Sequence, residues 1–396
     1  MNQAKKPRLL ECVRPVGTWN PNRSADAEEF NYIDIGAIDQ ARKAIGCMRA
    51  IRCAEAPSRA RQLVAAGDIL VSTVRPNLNA VAKLGLEHDG ATASTGFCVI
   101  RPDPAKLDGA YAFQWVKSPG FVNEMVSLAT GASYPAVSDR IVLGSCIPLP
   151  PLTEQRRIAA ILDQSDALRS QRQQALAELD ALSRAVFVEM FGEFRVGSTR
   201  WPNRPLGELM TDSTIGLVRA ADEFGPDFDV PYVRMNAIGR GGAFLPDLVQ
   251  RTNVDLDEQR RFALKPGDLL FNTRNSRELV GKTALFRERG LYVFNNNVMR
   301  IRFNEAVHSE YIAAAFQTPF IQQELETRKA GTTSVFAIYA RELKTIPMPI
   351  PPRVTQDAFA ERIQAIESIK AIHRSALAES DALFASLQHR AFTGAL

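Results

Sequence analysis

The chain has 396 residues, of which 45% are hydrophobic and 23% charged, and its formal net charge is +4. This composition is typical of a globular protein, and the length suits about two to four domains. The sequence contains no run of about 18 apolar residues and no signal-peptide pattern, which argues against a membrane span or secretion. We therefore expect a cytoplasmic protein whose five cysteines are reduced and buried, without a disulfide framework or a zinc site.

Residues in the first half of the chain recur about 200 positions later. Gly67 and Asp68 recur as Gly267 and Asp268, and Tyr111 recurs as Tyr311. A chain built from two similar halves can place two copies of one surface around a pseudo-twofold axis. Duplex DNA is a partner that suits this geometry.

The first predicted unit, residues 1–150, is mixed α and β. The segment 67–71 has the pattern of a turn that leads into a buried strand. Ser118 and Pro119 are typical of a helix N-cap followed by proline at the first helical position. Basic residues are densest from Arg42 to Arg61, where contact with phosphates and an ordinary solvated surface are both possible interpretations.

A proline-rich connector, residues 147–152, separates the first unit from a long helical segment, residues 151–192. Thr153 is the expected N-cap, and Gly192 is the expected stop. Ile158, Leu168 and Leu182 belong to an apolar stripe that is too narrow to be buried by itself. The pattern indicates a spacer helix that needs a partner, although generic core packing gives a similar stripe.

The second unit, residues 193–348, repeats the pattern of the first, with a turn and buried strand at 267–271 and a proline after Thr318. A second connector, residues 346–352, leads to a second helical segment within residues 349–396. Thr355 is its expected N-cap, and Gly394 is its expected stop. The two helices have similar lengths, so we predict that they pack together as an antiparallel coiled coil.

Polar loops follow both predicted central strands and contain side chains suited to reading base edges or holding phosphates. A second type of candidate is a glycine followed by hydroxyl residues, and a third is a basic patch in the second unit only. Solvated loops and tight turns are the competing interpretations. The candidates for DNA contact in the first unit are Arg49, Arg52, Ser72, Thr73, Arg75, Asn77, Asn79, Ser133 and Tyr134. Those in the second unit are Arg234, Asn236, Arg240, Asn272, Thr273, Arg274, Asn275, Arg277, Lys282, Thr332 and Thr333.

Two motifs carry a resemblance to a known family. Residues 148–158, with the sequence PLPPLTEQRRI followed by a long helix, resemble the central conserved region of type I restriction–modification specificity subunits. Residues 386–394, with the sequence SLQHRAFTG, resemble their C-terminal conserved region. Segments 18–21, 32–35, 267–271 and 278–282 are similar to parts of their target-recognition domains. The second connector departs from the pattern, because Thr355 stands where the first connector has Glu154.

The resemblance implies an α+β fold with two similar target-recognition domains, residues 1–150 and 193–348. Between them, the helical segments 151–192 and 349–396 form an antiparallel coiled coil with pseudo-twofold symmetry. It also implies a non-catalytic subunit that reads a bipartite, asymmetric duplex DNA target. Methyltransferase subunits, two in number, and restriction subunits are the expected protein partners. S-adenosylmethionine is expected in the methyltransferase and no cofactor in this chain. We assign partner contact to Glu154, Gln155, Phe187, Gln356 and Phe392.

Other functions stay open at this point. The sequence has no N-P-P-Y or D-P-P-Y motif, which adenine methyltransferases use, and its four histidines lack metal-ligand spacing. A self-contained methyltransferase or nuclease with unfamiliar motifs is one alternative. A coiled-coil interaction scaffold is another.

Overall fold

The structure is a computed structural model that describes residues 6–23, 29–195, 200–331 and 334–396. It divides into two units. Unit 1 comprises Met1–Gln173 with Arg374–Leu396, and unit 2 comprises Gln174–His373. Both units contain strands and helices, which confirms the predicted mixed α and β content. The division falls within two long helices, so each unit contains a part of both.

The strands and helices of unit 1 are short, apart from the long helices. Its strands are β1 Val13–Arg14, β2 Glu29–Ile33, β3 Ile38–Asp39, β4 Ala44–Ile45, β5 Arg49–Arg52, β6 Ala60–Leu63, β7 Ile69–Ser72, β8 Val81–Lys83, β9 Thr92–Ser94 and β10 Phe97–Pro102. Its short helices are α1 Gly109–Val116, α2 Pro119–Leu128 and α3 Asp139–Gly144. Helix α2 begins as predicted, because the Ser118 side chain accepts a hydrogen bond from the backbone N–H of Phe121.

Two four-stranded sheets form the body of unit 1. The first has the order β1-β10-β7-β8 and is antiparallel throughout. Its central strand β7 is buried along its length and follows the turn at Gly67, whose φ of 88° suits glycine, as the sequence predicts. The second has the order β5-β2-β9-β6 and contains one parallel pair, β2 with β9. Strands β3 and β4 form a separate pair.

The first long helix, α4, spans Leu152–Phe191. It begins immediately after the prolines of the first connector, and it ends before Gly192, whose φ is 79°. The prediction that Thr153 is the N-cap is wrong, since Thr153 lies inside the helix. The carbonyl of Pro151 accepts the first hydrogen bonds, from the N–H groups of Glu154 and Gln155.

Unit 2 repeats this arrangement. Its strands are β11 Asn203–Pro205, β12 Met210–Ile215, β13 Phe224–Gly225, β14 Val230–Val233, β15 Gln250–Thr252, β16 Leu269–Asn272, β17 Arg274–Asn275, β18 Thr283–Leu285, β19 Val293–Phe294, β20 Val298–Phe303, β21 Ala330–Gly331, β22 Phe336–Ala337 and β23 Pro347–Pro349. Its helices are α5 Leu256–Phe262, α6 Ser309–Ala315, α7 Pro319–Glu326, α8 Ala340–Leu343 and the second long helix α9 Arg353–Thr393. The predicted cap of α7 is confirmed, because the side chain of Thr318 accepts from the backbone N–H of Ile321.

The first sheet of unit 2 matches that of unit 1 strand for strand, whereas the second sheet shares three strands with its counterpart: β15, β14 and β19 correspond to β5, β2 and β9. The fourth strand differs, because β6 pairs with β9 in unit 1 and β13 pairs with β15 in unit 2. The order β12-β20-β16-β18 is antiparallel, and the order β13-β15-β14-β19 contains the parallel pair β14 with β19. A buried aspartate after each turn, Asp68 or Asp268, forms a bidentate ion pair with Arg101 or Arg302 of the neighbouring strand. Unit 2 also has the small sheets β17-β22-β21 and β11-β23.

Helix α9 ends before Gly394, as predicted, but Thr355 lies inside it and is not its N-cap. The carbonyl of Pro352 instead accepts from the N–H of Thr355. The helices contain 40 and 41 residues, so each is about 60 Å long at about 1.5 Å per residue.

The two long helices contact each other inside each unit. In unit 1, Arg169 Nε donates to Asp381 Oδ1 at 2.6 Å, and Arg157 reaches the carbonyl of Leu396. In unit 2, Lys370 Nζ lies 2.7 Å from Asp180 Oδ1, and Arg362 Nη1 lies 3.7 Å from Glu189 Oε1. Residue numbers rise along one helix as they fall along the other, so the contacts run antiparallel within each unit.

The apolar stripe predicted on the helices is buried only in part. Ile158 and Leu162 are buried in unit 1, and Phe359 and Ile363 are buried in unit 2. Other predicted members of the stripe are exposed: Leu168, Leu182, Ile369, Ile372 and Leu383. The buried members lie where a helix packs on the sheets and short helices of a unit, and the exposed ones lie further along.

Each unit has a core to which both long helices contribute. In unit 1, the Tyr111 ring lies 5.4 Å from the Phe392 ring near the end of α9. In unit 2, the Tyr311 ring stacks at 5.9 Å on Phe187 near the end of α4. The tyrosine hydroxyls donate to the carbonyls of Pro148 and Pro349, at 2.8 and 2.5 Å, so they also hold the connectors.

Three of the cysteines, Cys12, Cys53 and Cys98, are buried as predicted. The prediction is wrong for Cys47 and Cys146, which are exposed: Cys47 lies in the irregular segment after β4, and Cys146 forms a bridge with Arg8. Within the described residues, no helix is both long enough and apolar enough to span a membrane.

We predict that Asp268→Asn destabilises unit 2 by about 2–4 kcal/mol, because it leaves the Arg302 guanidinium without its buried carboxylate. The matched control is Asp357→Asn, which breaks the exposed Arg353–Asp357 pair and should cost no more than about 0.5 kcal/mol. Urea unfolding of the full chain measures both effects. Equal losses in the two variants would contradict the structural role assigned to Asp268.

Candidate nucleic-acid interface

The end of β7 and the loop after it contain five of the candidates in unit 1, and the first two are internal. Ser72 and Thr73 are buried, and their hydroxyls donate to the carbonyls of Val74 and Gly96 at 3.0 and 2.9 Å. The prediction that Ser72 and Thr73 contact DNA is therefore wrong, because their hydroxyls bind backbone carbonyls and hold the loop in shape. Arg75 and Asn77 are exposed, and Asn79 is half-buried.

The equivalent loop after β16 shows the same division. Asn272 and Thr273 are buried. Asn272 Oδ1 accepts from the backbone N–H of Arg274 at 3.2 Å, and the Thr273 hydroxyl donates to the carbonyl of Asn297 at 3.1 Å. These two predictions are corrected for the same reason as those of Ser72 and Thr73. Arg274 is exposed, and the half-buried Asn275 accepts from the backbone N–H of Ser276.

In each unit, the polar loop after the central strand contacts the glycine-and-hydroxyl segment that was the second type of candidate. In unit 1, the backbone N–H of Arg75 donates to the carbonyl of Pro135 at 2.7 Å, and Val74 forms a bridge with Ala136. Ser133 and Tyr134 are both exposed in this second segment. We call residues 72–79 with 130–136 the loop platform of unit 1.

In unit 2, the equivalent loop and segment pair with each other as a small three-stranded sheet. Arg274 pairs with Ala337, Asn275 pairs with Phe336, and β22 pairs in turn with β21. The predicted candidates Thr332 and Thr333 lie outside the described residues. We call residues 272–282 with 330–331 and 334–337 the loop platform of unit 2.

A lysine ties each platform to a neighbouring loop. In unit 1, Lys43 Nζ donates to the carbonyl of Asn79 at 2.6 Å. In unit 2, Lys282 Nζ donates to the carbonyl of Ile238. Burial lowers the pKa of both lysines, and the charge of Arg240 lowers that of Lys282 further. Lys282, predicted to contact DNA, is thus engaged within its unit. Sequence reasoning missed Lys43, because no spacing links it to Asn79.

The remaining basic candidates of unit 2 lie on the loop that Lys282 ties. Arg240 and Asn236 are exposed. Arg234 is half-buried, with its guanidinium 4.4 Å from the centroid of the Phe224 ring and a hydrogen bond to Gln250. In unit 1, Arg49 and Arg52 lie on β5, the edge strand of the second sheet.

The arginine candidates differ in whether a carboxylate already balances their charge. Arg52 is paired with Glu55, and Arg277 with Glu326 at 2.9 Å. Among the described residues, the guanidinium groups of the other exposed candidates make no ion pair: Arg49, Arg75, Arg240 and Arg274. An arginine without a carboxylate is the more available to a phosphate or a base edge.

Gln155 and Gln356, predicted to contact partners, are fully buried at 0% exposure. Gln155 accepts from the N–H of Asp108 at 2.8 Å, and its amide donates to the carbonyls of Lys106 and Pro150. Gln356 accepts from the N–H of His308, and its amide donates to the carbonyls of Ala306 and Pro351. The prediction is corrected, because each glutamine fastens a long helix to its own unit.

Two other predicted partner contacts are also internal. Phe187 is buried between Phe191, Tyr311 and Phe359, and Phe392 is half-buried against Tyr111. Glu154 is half-buried at the start of α4, where a hydrogen bond from Arg157 lowers its pKa. The second helix has Thr355 at the matched position and lacks this pair.

The comparisons with known proteins point to one family. A family model described as the type I restriction modification DNA specificity domain matches residues 59–179 and 200–379. The chain is 26% identical to the type I restriction enzyme EcoKI specificity subunit of Escherichia coli K12 over 360 residues, or 85% of this chain and 76% of that one.

Two solved structures share the fold. One is a chain from a study of complex assembly and conformational transition in the type I R-M system, with a TM-score of 0.56, 24% identity and coverage of 100% of this chain and 99% of that one. The other is the type I restriction-modification S subunit of M. genitalium, with a TM-score of 0.59, 13% identity and coverage of 99% and 97%.

We predict that Gln155→Ala destabilises unit 1 by about 2–4 kcal/mol, because it leaves one buried donor and two carbonyls without their partner. The matched control is the neighbouring Glu154→Gln, which alters a half-exposed ion pair and should change stability by about 0.5 kcal/mol or less. Thermal unfolding, together with binding of the methyltransferase subunit below the transition, separates the roles. Unchanged stability with weakened subunit binding would restore Gln155 as a partner contact.

Proposed function

Because the chain belongs to the type I restriction modification DNA specificity family, we propose that each of its units reads one half of a split, asymmetric DNA target. The chain is a specificity subunit of a type I restriction–modification system and is not itself a catalyst. The family match does not favour the alternatives, a self-contained enzyme or a scaffold. The finer proposal concerns how two matched units recognise different sequences.

One observation carries the proposal: matched sheets support loop platforms with different exposed side chains. Strands β7 and β16 correspond residue for residue, which places Asn275 where unit 1 has Arg75. The bridges to Ala136 and Ala337 place Val335 where unit 1 has Tyr134. Since base edges are read by side-chain chemistry, two different platforms favour two different half-sites.

The long helices act in this proposal as a spacer, packed as an antiparallel coiled coil. The ion pairs Arg169–Asp381 and Lys370–Asp180 support it. A shift of 201 positions converts Arg169 into Lys370 and Asp180 into Asp381, so each pair repeats the other with its partners exchanged. This exchange is what a pseudo-twofold relation between the recognition units, residues 1–150 and 193–348, requires.

Protein partners complete the proposed complex. We expect two methyltransferase subunits to dock along the helical segments 151–192 and 349–396 and to bring S-adenosylmethionine, with restriction subunits joining them. The exposed apolar side chains of the helices support docking there. Leu168 and Leu383 are exposed in unit 1, and Leu182 and Ile369 in unit 2. Docking sites in both units favour two copies of the partner.

The spacer can be tested by shortening both helices by one heptad. Deleting residues 171–177 and 373–379, which lie between the two ion pairs, keeps the stripe in phase and removes about 10 Å of helix. We expect the gap between the half-sites to shorten by about 3 base pairs, with the half-site sequences unchanged. Methylome sequencing of the host with each gene, and without the gene, gives the target directly.

The control for this experiment is Gln171→Ala, an exposed change within the same segment that keeps both helices at full length. It should leave the target and its gap as in the wild type. A shortened chain that methylates sites with the original gap would refute the spacer. A host methylome that is identical with and without the gene would refute the specificity function as a whole.

A second prediction concerns phosphate contact in unit 2. Affinity for DNA falls as salt rises, and Arg274→Ala should make this dependence less steep, by about one in the slope of log affinity against log salt. The reason is that the change removes a cation that no carboxylate balances. Arg277→Ala is the matched control and should lower it less, because Glu326 already offsets that charge. Anisotropy titrations of target duplex with the full complex at several salt concentrations measure the slope. A wild-type slope for Arg274→Ala would remove it from the interface.

A further inference from the structure

The loop platform of unit 1 and the loop tied to it contain strained backbone. Three non-glycine residues of the described chain have positive φ: Arg75 at 50° and Asn79 at 43° in the platform, and Lys43 at 53° in the neighbouring loop. They are connected, since Lys43 Nζ donates to the carbonyl of Asn79, and the N–H of Leu78 donates to the carbonyl of Arg75. Left-handed conformations are costly for residues with a Cβ atom, and such strain concentrates at functional sites.

The surrounding contacts hold Arg75 in this conformation. Its backbone N–H donates to the carbonyl of Pro135 at 2.7 Å, and the next residue, Pro76, is buried. The N–H of Asn79 donates to the carbonyl of Pro76 and closes the turn. The strained residue is therefore fixed on both sides, and its side chain leaves the backbone in a set direction.

The Arg75 side chain is stacked but not neutralised. Its guanidinium carbon lies 4.9 Å from the centroid of the Tyr134 ring, and Tyr134 is 69% exposed. Within the described residues, the guanidinium makes no hydrogen bond and no ion pair. A ring beneath a guanidinium limits the positions that the guanidinium can take and leaves the N–H groups at its edge free to donate.

The difference between the two units favours a base edge over a phosphate as the partner of Arg75. A guanidinium held over a ring can donate two parallel hydrogen bonds to O6 and N7 of guanine, which is the commonest specific contact of arginine. A phosphate can accept the same fork of hydrogen bonds, so the choice between guanine and phosphate rests on the comparison of the two units. Unit 2 has Asn275 and Val335 at the matched positions, whereas a general phosphate clamp would serve both halves of the target equally.

We infer that Arg75, stacked on Tyr134 and held by the strained loop, reads a guanine in the half-site bound by unit 1. The inference rests on the proposed function, because it names one specificity-determining contact of the same interface. Tyr134 acts as a positioning residue in it, since its ring orients the guanidinium.

The test scans the target found by methylome sequencing, one base pair at a time, against the full complex with its methyltransferase subunits. For wild type, replacing the guanine read by Arg75 should weaken binding about tenfold or more. For Arg75→Lys, which keeps the charge but loses the planar fork, the same replacement should matter about twofold or less. Every other base pair should keep its wild-type penalty.

Tyr134 provides a matched pair of variants. Tyr134→Phe keeps the ring and should keep the preference for that guanine, whereas Tyr134→Leu removes the ring and should reduce the preference about threefold or more. A ring that only fills space would give similar results in both variants, because leucine and phenylalanine both cover the loop.

The strain has its own readout. Arg75→Ala and Arg75→Gly both remove the guanidinium, but only glycine adopts a φ near 50° without strain. The glycine variant should therefore unfold at a temperature about 2–4 °C above that of the alanine variant. Neither variant should discriminate at the guanine position.

The outcomes separate the two proposals. If wild type discriminates base pairs in both half-sites and Arg75→Lys keeps the whole pattern, the reading role of Arg75 is refuted and the proposed function stands. A loss by Arg75→Lys that is equal on target and random duplex would also refute it and assign Arg75 to a phosphate. Wild-type binding without preference for any half-site would refute the proposed function itself.

Discussion

The closure of each unit by both long helices is the constraint on which the rest of the structure depends. Gln155 and Gln356 fasten the start of one helix to each unit through three hydrogen bonds apiece, all to backbone groups. A phenylalanine near the end of the other helix packs on the core tyrosine, Tyr111 or Tyr311. Unit 1 completes its core only with the distant segment Arg374–Leu396, and the contiguous unit 2 includes a part of each long helix, so the helices serve as core and connector together.

The buried framework of the two units is duplicated more closely than their exposed surface. The framework is duplicated closely, as shown by the ion pairs of Asp68 and Asp268, which take the same place in matched sheets and bind an arginine of the neighbouring strand in the same way. The exposed platform positions are not duplicated, since Arg75 corresponds to Asn275. Burial explains the difference, because a change in a packed interior costs stability whereas a change on an exposed loop costs little. A protein organised in this way keeps its architecture while its surface diverges.

The elements set by local chemistry were predictable from the sequence. Proline is excluded from the interior of a helix, and glycine ends a helix. Ser118 before Pro119 caps the start of α2. These local rules are why the helices and the central strands are predicted correctly. Properties that depend on distant residues were not. From the sequence alone, Gln155 is expected to be exposed, and only the fold brings residues 106–108 against it. Arg277 is likewise expected to be unpaired, and only the fold places Glu326 beside it. Polar loop residues are the hardest to predict, because Ser72 and Asn77 are both small polar residues, yet Ser72 is buried and Asn77 faces solvent.

The packing of Phe392 on Tyr111 has a consequence for biosynthesis. During translation the sheets of unit 1 emerge before unit 2, yet their core waits for the end of α9, which is made after unit 2. Unit 2, which ends at His373, has all its residues before the ribosome reaches that helix end. Unit 1 is thus begun before unit 2 and completed after it, and until then it depends on the solubility of its own unfinished surface.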